Sequence, residues 1–136
     1  MKVTTVWQGK MKFQSTSPDG HTVEMDAGPA VGGEDSGQRP KEVVLSGLAG
    51  CTAMDVISLL HKMRVPPESF RVEVEAEQTE EHPKTFSKVH LKYYVKGDVP
   101  QDKLKKAIDL SQERYCGVSE LFRKGAILTY EYIYEN

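Results

Sequence analysis

The chain is poor in the residues that announce most chemistries. Its 136 residues include two cysteines, four histidines and one tryptophan. There is no C-x-x-C pair, and His21, His61, His82 and His90 show none of the short ligand spacings of a zinc site, so no metal ligand set is legible. His82 falls in a turn and His90 on a charged strand face, where satisfied or solvated histidines are the expectation. Neither a G-x-G-x-x-G nor a G-x-x-x-x-G-K-[ST] stretch supports nucleotide binding. No G-x-S-x-G elbow offers a serine nucleophile. Charge is close to balanced, with 18 Lys and Arg against 20 Asp and Glu and a formal net charge of −2. No basic excess therefore argues for nucleic acid or an anionic membrane as partner. No uninterrupted apolar run approaches the roughly 18 residues of a membrane span. The start, MKVTTVWQGK, lacks the apolar core of a signal peptide and points to the cytoplasm. In that compartment thiols are usually reduced, so a cysteine pair reads as redox-active or buried rather than as a staple.

What is present fits one globular domain over residues 1–136, with 38% hydrophobic and 28% charged residues. Three alternating runs, around Val3–Trp7, Met11–Ser15 and Val23–Ala27, are separated by turns at Gly9 and Ser17-Pro18-Asp19-Gly20. They predict an antiparallel meander. Gly28–Arg39, with four glycines and two acids, reads as a loop. Lys41–Met63 predicts a helix that is apolar on most sides, and hence buried on most sides, stopped by Pro66-Pro67.

Charge alone sets the register of the next hairpin. Folding about Glu81-His82-Pro83-Lys84 puts Glu77, Glu75 and Glu73 opposite Lys88, His90 and Lys92, and Ala76 and Val74 opposite Val89 and Leu91. A second helix is expected over Gln101–Arg114, a break at Tyr115-Cys116-Gly117, a short helix over Val118–Arg123 and a last strand over Ala126–Tyr134. The order βββ-α-ββ-α-α-β is an α+β arrangement with helices covering antiparallel sheet.

The candidate chemistry rests on the thiols. Cys51 lies in GLAGCTAMDVIS, where Gly47, Ala49, Gly50, Thr52 and Ala53 remove bulk around the sulfur. It reads as a small core filler or as a thiol with room for a substrate. Two glycines ahead of one cysteine cost up to about 1 kcal/mol each in a helix, and that cost wants a reason. Cys116 precedes a short helix, where free N–H groups favour thiolate, so local electrostatics picks it as the more acidic of the two. Cys51, deep in its helix, needs a cation. Arg39 is the candidate, with Glu42 orienting its guanidinium through a bidentate pair. An exposed charge pair at a helix start is the competing reading. Asp55, four positions after Cys51, opposes a thiolate and is expected to turn away or to cap something else.

The segments RPKEVVLSGLAGCTAMDVISLLHKM, TEEHPKTFSKVHLKYYVKG and LSQERYCGVSELFRKG resemble the OsmC/Ohr family of thiol-dependent peroxidases, and nearly the whole chain is covered. Closest is the small OsmC-like branch of predicted redox proteins. The resemblance implies an OsmC-like fold with a long buried central helix, in an intertwined homodimer. It implies that Cys51 is the peroxidatic and Cys116 the resolving cysteine, overriding the electrostatic preference. It also implies an arginine that activates the first thiolate and a glutamate that holds the arginine, with no cofactor or metal.

Ohr proteins carry the glutamate directly after the proline; here that place is Lys41, and Glu42 follows. The family's arginine lies in the early strands, where this chain has only Lys2, Lys10 and Lys12 as cations; its first arginine is Arg39. The implied activity is reduction of small organic hydroperoxides, or hydrogen peroxide, with an external dithiol as reductant. The alternatives are a dimeric protein of the same fold that binds a small apolar ligand, and a dithiol sensor.

Overall fold

Alternation and turn residues near the N-terminus produce the first sheet. In the computed structural model, which describes all 136 residues, β1 (Thr4–Trp7), β2 (Phe13–Thr16) and β3 (Thr22–Met25) form the expected antiparallel meander in the order β1-β2-β3. The loop that follows is tied to one buried carboxylate. Asp26, 3% exposed, accepts the Ala27 N–H at 2.8 Å, the Glu34 and Ser36 N–H groups at 3.2 and 3.1 Å, and the Ser36 hydroxyl at 2.7 Å. The Ser36 hydroxyl is the largest influence on the Asp26 carboxyl and, with the three amides, outweighs burial and brings it down to about 2. Glycine lets the loop close. A methyl group on Gly33 would lie 2.0 Å from the Ala27 carbonyl oxygen, and one on Gly37 would lie 2.8 Å from that of Glu24.

The central helix α1 (Pro40–Lys62) starts where its proline suits a first turn. Its third residue, Glu42, reaches back to accept the Arg39 backbone N–H at 2.8 Å, one half of a capping box. The chain divides into two compact units, Met1–Leu45 and Ser46–Asn136, with α1 running out of the first and into the second.

Burial along α1 differs from the all-round burial its composition predicts. Only Leu48, Thr52, Val56 and Leu60 are buried, a single i, i+4 stripe, while Met54 is 75% exposed. One chain offers the helix one packing face, so its other apolar residues are half-buried or, at Val44 and Met54, exposed. Read as a helix rather than as an unbroken apolar run, α1 is also long and apolar enough to cross a membrane by length and composition. Its buried stripe makes it a core helix.

In the second unit, β4 (Ser69–Gln78) and β5 (Phe86–Lys96) pair antiparallel in the register set by charge: Glu77 faces Lys88, Glu75 faces His90, Glu73 faces Lys92, Ala76 faces Val89 and Val74 faces Leu91. Lys88 stays paired with Glu77 at 3.9 Å, while the other two contacts shift. Lys92 reaches Glu75 at 3.0 Å, and His90 contacts Glu131 at 2.6 Å. The last strand, β6 (Ile127–Tyr134), lies parallel to β5 and corrects the expectation of purely antiparallel sheets. The long helical crossover between them returns the chain to the starting end of β5 before it pairs.

That crossover consists of α2 (Gln101–Leu110), a π-helical turn over Ser111–Tyr115 and α3 (Gly117–Arg123). The regular helix expected to continue to Arg114 gives way at Ser111 to the wider turn, closed by the Cys116 N–H on the Ser111 carbonyl at 2.7 Å. The core of this unit is made by Val89, Leu91, Tyr93 and Val95 of β5, the buried stripe of α1, and Leu104, Ala107 and Ile108 of α2.

Candidate active site: two thiols and a carboxylate

The second unit brings Cys51, Asp55 and Cys116 together. One ligand atom from each, the two Sγ and a carboxylate oxygen, lie within 4.8 Å of one another. Cys51 and Asp55 are one turn apart on α1, so both point the same way, and both are half-buried. Cys116 is 3% exposed and caps α3: its Sγ accepts the Ser119 N–H at 3.3 Å. The Val118 N–H serves Cys51 instead, so successive amides of one turn meet the two sulfurs. The π turn makes this placement, because it ends on Cys116 with extended backbone, φ −78° and ψ 97°. A helix of ordinary pitch would have pointed Cys116 elsewhere.

Burial, followed by the hydrogen bond with Cys116, raises the Cys51 thiol above its ordinary value. The Val118 amide pulls the other way, while the charges of Cys116 and Asp55 raise it further. The strongest influences on Cys51 therefore include no cation. Arg39 is engaged elsewhere: its Nη1 donates to Asp35 Oδ1 at 2.7 Å and to the Gly37 carbonyl at 3.2 Å. Glu42 meets Arg39 at the backbone N–H rather than in the guanidinium fork that the sequence suggested. Glycines 47 and 50 do leave space: a methyl group on either would find nothing within 4 Å.

Asp55 does not turn away. It anchors a buried polar chain that sequence reasoning missed. The Ser111 hydroxyl donates to Asp55 Oδ2 at 3.0 Å. Thr52 Oγ1 lies 2.8 Å from Ser111 Oγ and 2.6 Å from the Tyr93 hydroxyl. The Gln112 side-chain amide donates to both Thr52 Oγ1 (3.2 Å) and the Tyr93 hydroxyl (2.7 Å). Arg123 Nη2 in turn donates to the Gln112 carbonyl at 2.5 Å and to its Oε1 at 2.8 Å.

These donors fix the direction of every proton. Ser111 spends its hydrogen on Asp55, so it accepts from Thr52, and Thr52 accepts from Tyr93. Burial pushes the Tyr93 phenol up to about 12 against the lowering effect of Thr52 and Gln112, so it stays a neutral donor. The signal available in the sequence was Thr52 and Asp55 flanking Cys51 at helical spacing, and Ser111-Gln112 just ahead of Cys116.

The fold defines a class. The family model of OsmC-like proteins matches residues 33–131, and the chain belongs to that family. Among its relatives is Protein YhfA of Escherichia coli K12, 32% identical over 133 residues that cover 97% of this chain and 96% of YhfA. A hypothetical protein of Aquifex aeolicus has a similar solved structure, with TM-score 0.81, 25% identity and 99% and 97% of the two chains covered. The organic hydroperoxide resistance protein OhrB of Bacillus subtilis shares the fold at TM-score 0.68 and 16% identity, over 98% of each chain.

Proposed function

We propose that the protein is a cytoplasmic thiol peroxidase for small organic hydroperoxides, acting through Cys51 and Cys116. The observation that carries the reading is the meeting of the two sulfurs, from α1 and from the end of the π turn, within 4.8 Å. A disulfide then needs only a modest approach of the two side chains. The Cys51 thiolate attacks the terminal peroxide oxygen and breaks the O–O bond. The alkoxide leaves as alcohol after taking a proton, and Cys51 becomes a sulfenic acid. The Cys116 thiol displaces water from that sulfenic acid and forms the disulfide. An external dithiol reduces it by exchange and becomes a disulfide itself. The net change is hydroperoxide plus dithiol to alcohol, water and disulfide.

The apolar setting of α1 favours an organic substrate over a charged one. A homodimer, as in the resemblance, accounts for the apolar side chains left bare on one chain, including Trp7 at 63%, Met54 at 75% and Leu121 at 66% exposure. In that assembly Arg39, held to Glu42 at its backbone, is the candidate activating cation.

Peroxide consumption with a dithiol reductant tests the assignment. The parent should turn over, Cys51→Ser should be inactive, and reduced Cys116→Ser, freed of dithiol, should consume one equivalent and stop at the sulfenic acid, where the parent stops at the disulfide. Contacts within one chain raise the Cys51 thiol, so without the dimer's Arg39 the rate should climb only as pH rises through and above the ordinary thiol range, and Arg39 at the site should bring that rise to lower pH. Equal turnover by all three proteins would remove both cysteines from the chemistry. A rate already at its plateau by pH 6 would show that a cation does reach Cys51.

A further inference from the structure

We infer that the reduced protein carries a three-ligand site for a thiophilic divalent cation of the zinc type, made by Cys51 Sγ, Cys116 Sγ and an Asp55 carboxylate oxygen. The inference concerns the reduced thiols alone and stands whether or not the protein consumes peroxides.

Four observations carry it. The donor set is chemically coherent, since two thiolates and one carboxylate suit a borderline-soft cation better than calcium or magnesium. The three ligand atoms already lie within 4.8 Å of one another. A tetrahedral site with metal–sulfur distances of about 2.3 Å and metal–oxygen of about 2.0 Å needs sulfurs about 3.8 Å apart and oxygen about 3.5 Å from each, so no pair closes by more than about 1.3 Å. The outer contacts are in place too. Ser111 donates to the Asp55 oxygen at 3.0 Å, behind it run Thr52, Tyr93 and Gln112, and Ser119 N–H donates to Cys116 Sγ. Such partners fix the orientation and basicity of metal ligands. Ser119 also carries a fully buried hydroxyl with no hydrogen-bond partner, one position along α3 from the amide that serves Cys51.

Charge supplies the rest. With both thiols deprotonated and Asp55 ionised, the cluster would bear three negative charges within 4.8 Å of one another. A divalent cation is the missing counter-charge. Its entry replaces the two thiol protons, which leave to solvent, and creates two metal–sulfur bonds and one metal–oxygen bond. A surface hollow lined by Asp55, Ser58, Leu59, Lys62 and Tyr115 gives Asp55 a route to solvent. Three protein ligands leave a fourth position open, as in sites that exchange their water.

Anaerobic titration of the fully reduced full-length protein with cobalt(II), followed by zinc(II) competition, tests the site. The parent should take up one cobalt per chain, with a near-ultraviolet thiolate-to-cobalt charge-transfer band and the strong visible bands of a tetrahedral centre, all removed by zinc. Cys51→Ser and Cys116→Ser should each lose most of that band. Asp55→Asn should keep sulfur ligation but bind at least about tenfold more weakly, and Ser111→Ala about tenfold more weakly. Circular dichroism establishes that each variant is folded. The parent with its Cys51–Cys116 disulfide formed has an unchanged sequence and should bind no cobalt. No charge-transfer band in the reduced parent, unchanged affinity in folded Asp55→Asn, or equal binding by the disulfide form would each overturn the site. Peroxide turnover in the presence of a chelator is read separately, so either result can fail alone.

Discussion

The two units of this chain hold their shapes by different means. In Met1–Leu45 the one fully enclosed side chain in the sheet and loop is a carboxylate, Asp26, while Val6, Trp7, Met11, Phe13 and Val23 are exposed. In Ser46–Asn136 a continuous apolar core surrounds β5, and its polar insertion, the Thr52–Tyr93–Ser111–Gln112 chain, is fully hydrogen-bonded. The first unit is thus organised by charge and hydrogen bonds, the second by volume. Acid should reach the first before the second, and lost methylenes should reach the second before the first.

The largest effect should come from emptying the second unit's core. Leu91→Ala removes a fully buried side chain from the middle of β5 and should cost about 2–5 kcal/mol in urea unfolding. A cost below about 1 kcal/mol would mean that the core does not depend on its volume. Next comes Tyr93→Phe, which keeps the ring but strips the hydroxyl that Gln112 and Thr52 use. The buried Gln112 amide then keeps only Thr52 as acceptor for its two N–H groups, which should cost about 1–3 kcal/mol, and Gln112→Leu in the same background should recover part of it. No recovery would separate Tyr93 from the network.

The acid limb belongs to the first unit. Asp26 is lowered to about 2 in the folded state, against about 3.9 when unfolded. Its contribution is therefore complete above about pH 4 and lost as pH falls through 2. Protection of the Glu34 and Ser36 amides against hydrogen exchange, relative to their intrinsic rates at each pH, should fall across that window, and Asp26→Asn should abolish the step. Protection that is flat from pH 4 to 2 in the parent would contradict it. The smallest effect should be on the exposed sheet face. Lys88 and Glu77 stand 3.9 Å apart with both side chains more than half exposed, so Lys88→Ala should change stability by less than about 1 kcal/mol.

The same division decides how much could be read in advance. Period-two alternation and opposite charges set the β4–β5 register correctly, because a slip of one residue turns Val74, Ala76, Val89 and Leu91 out of the core. Strand direction in β6 was not legible, since its alternation is the same whether it runs parallel or antiparallel to β5. Nor was the exposure of α1 legible, because apolar composition states what a helix can bury and not what one chain supplies. The two thiols were visible as residues. Their meeting depends on the π turn at Ser111–Tyr115, which has no composition signature, and so the roles of Asp55, Ser111 and Gln112 stayed hidden. Arg39 and Glu42 are neighbours as expected, yet Glu42 caps a helix through the Arg39 backbone.

The central claim is that Cys51 and Cys116 work as one pair. Peptide mapping by mass spectrometry, after one equivalent of tert-butyl hydroperoxide is added to the reduced protein, tests it most directly. A working pair gives a single cross-linked species joining the Cys51 and Cys116 peptides, formed within one chain and reversed by a dithiol. Free thiols at both positions with the hydroperoxide unspent, or a disulfide joining Cys51 of one copy to Cys51 of another, would contradict it.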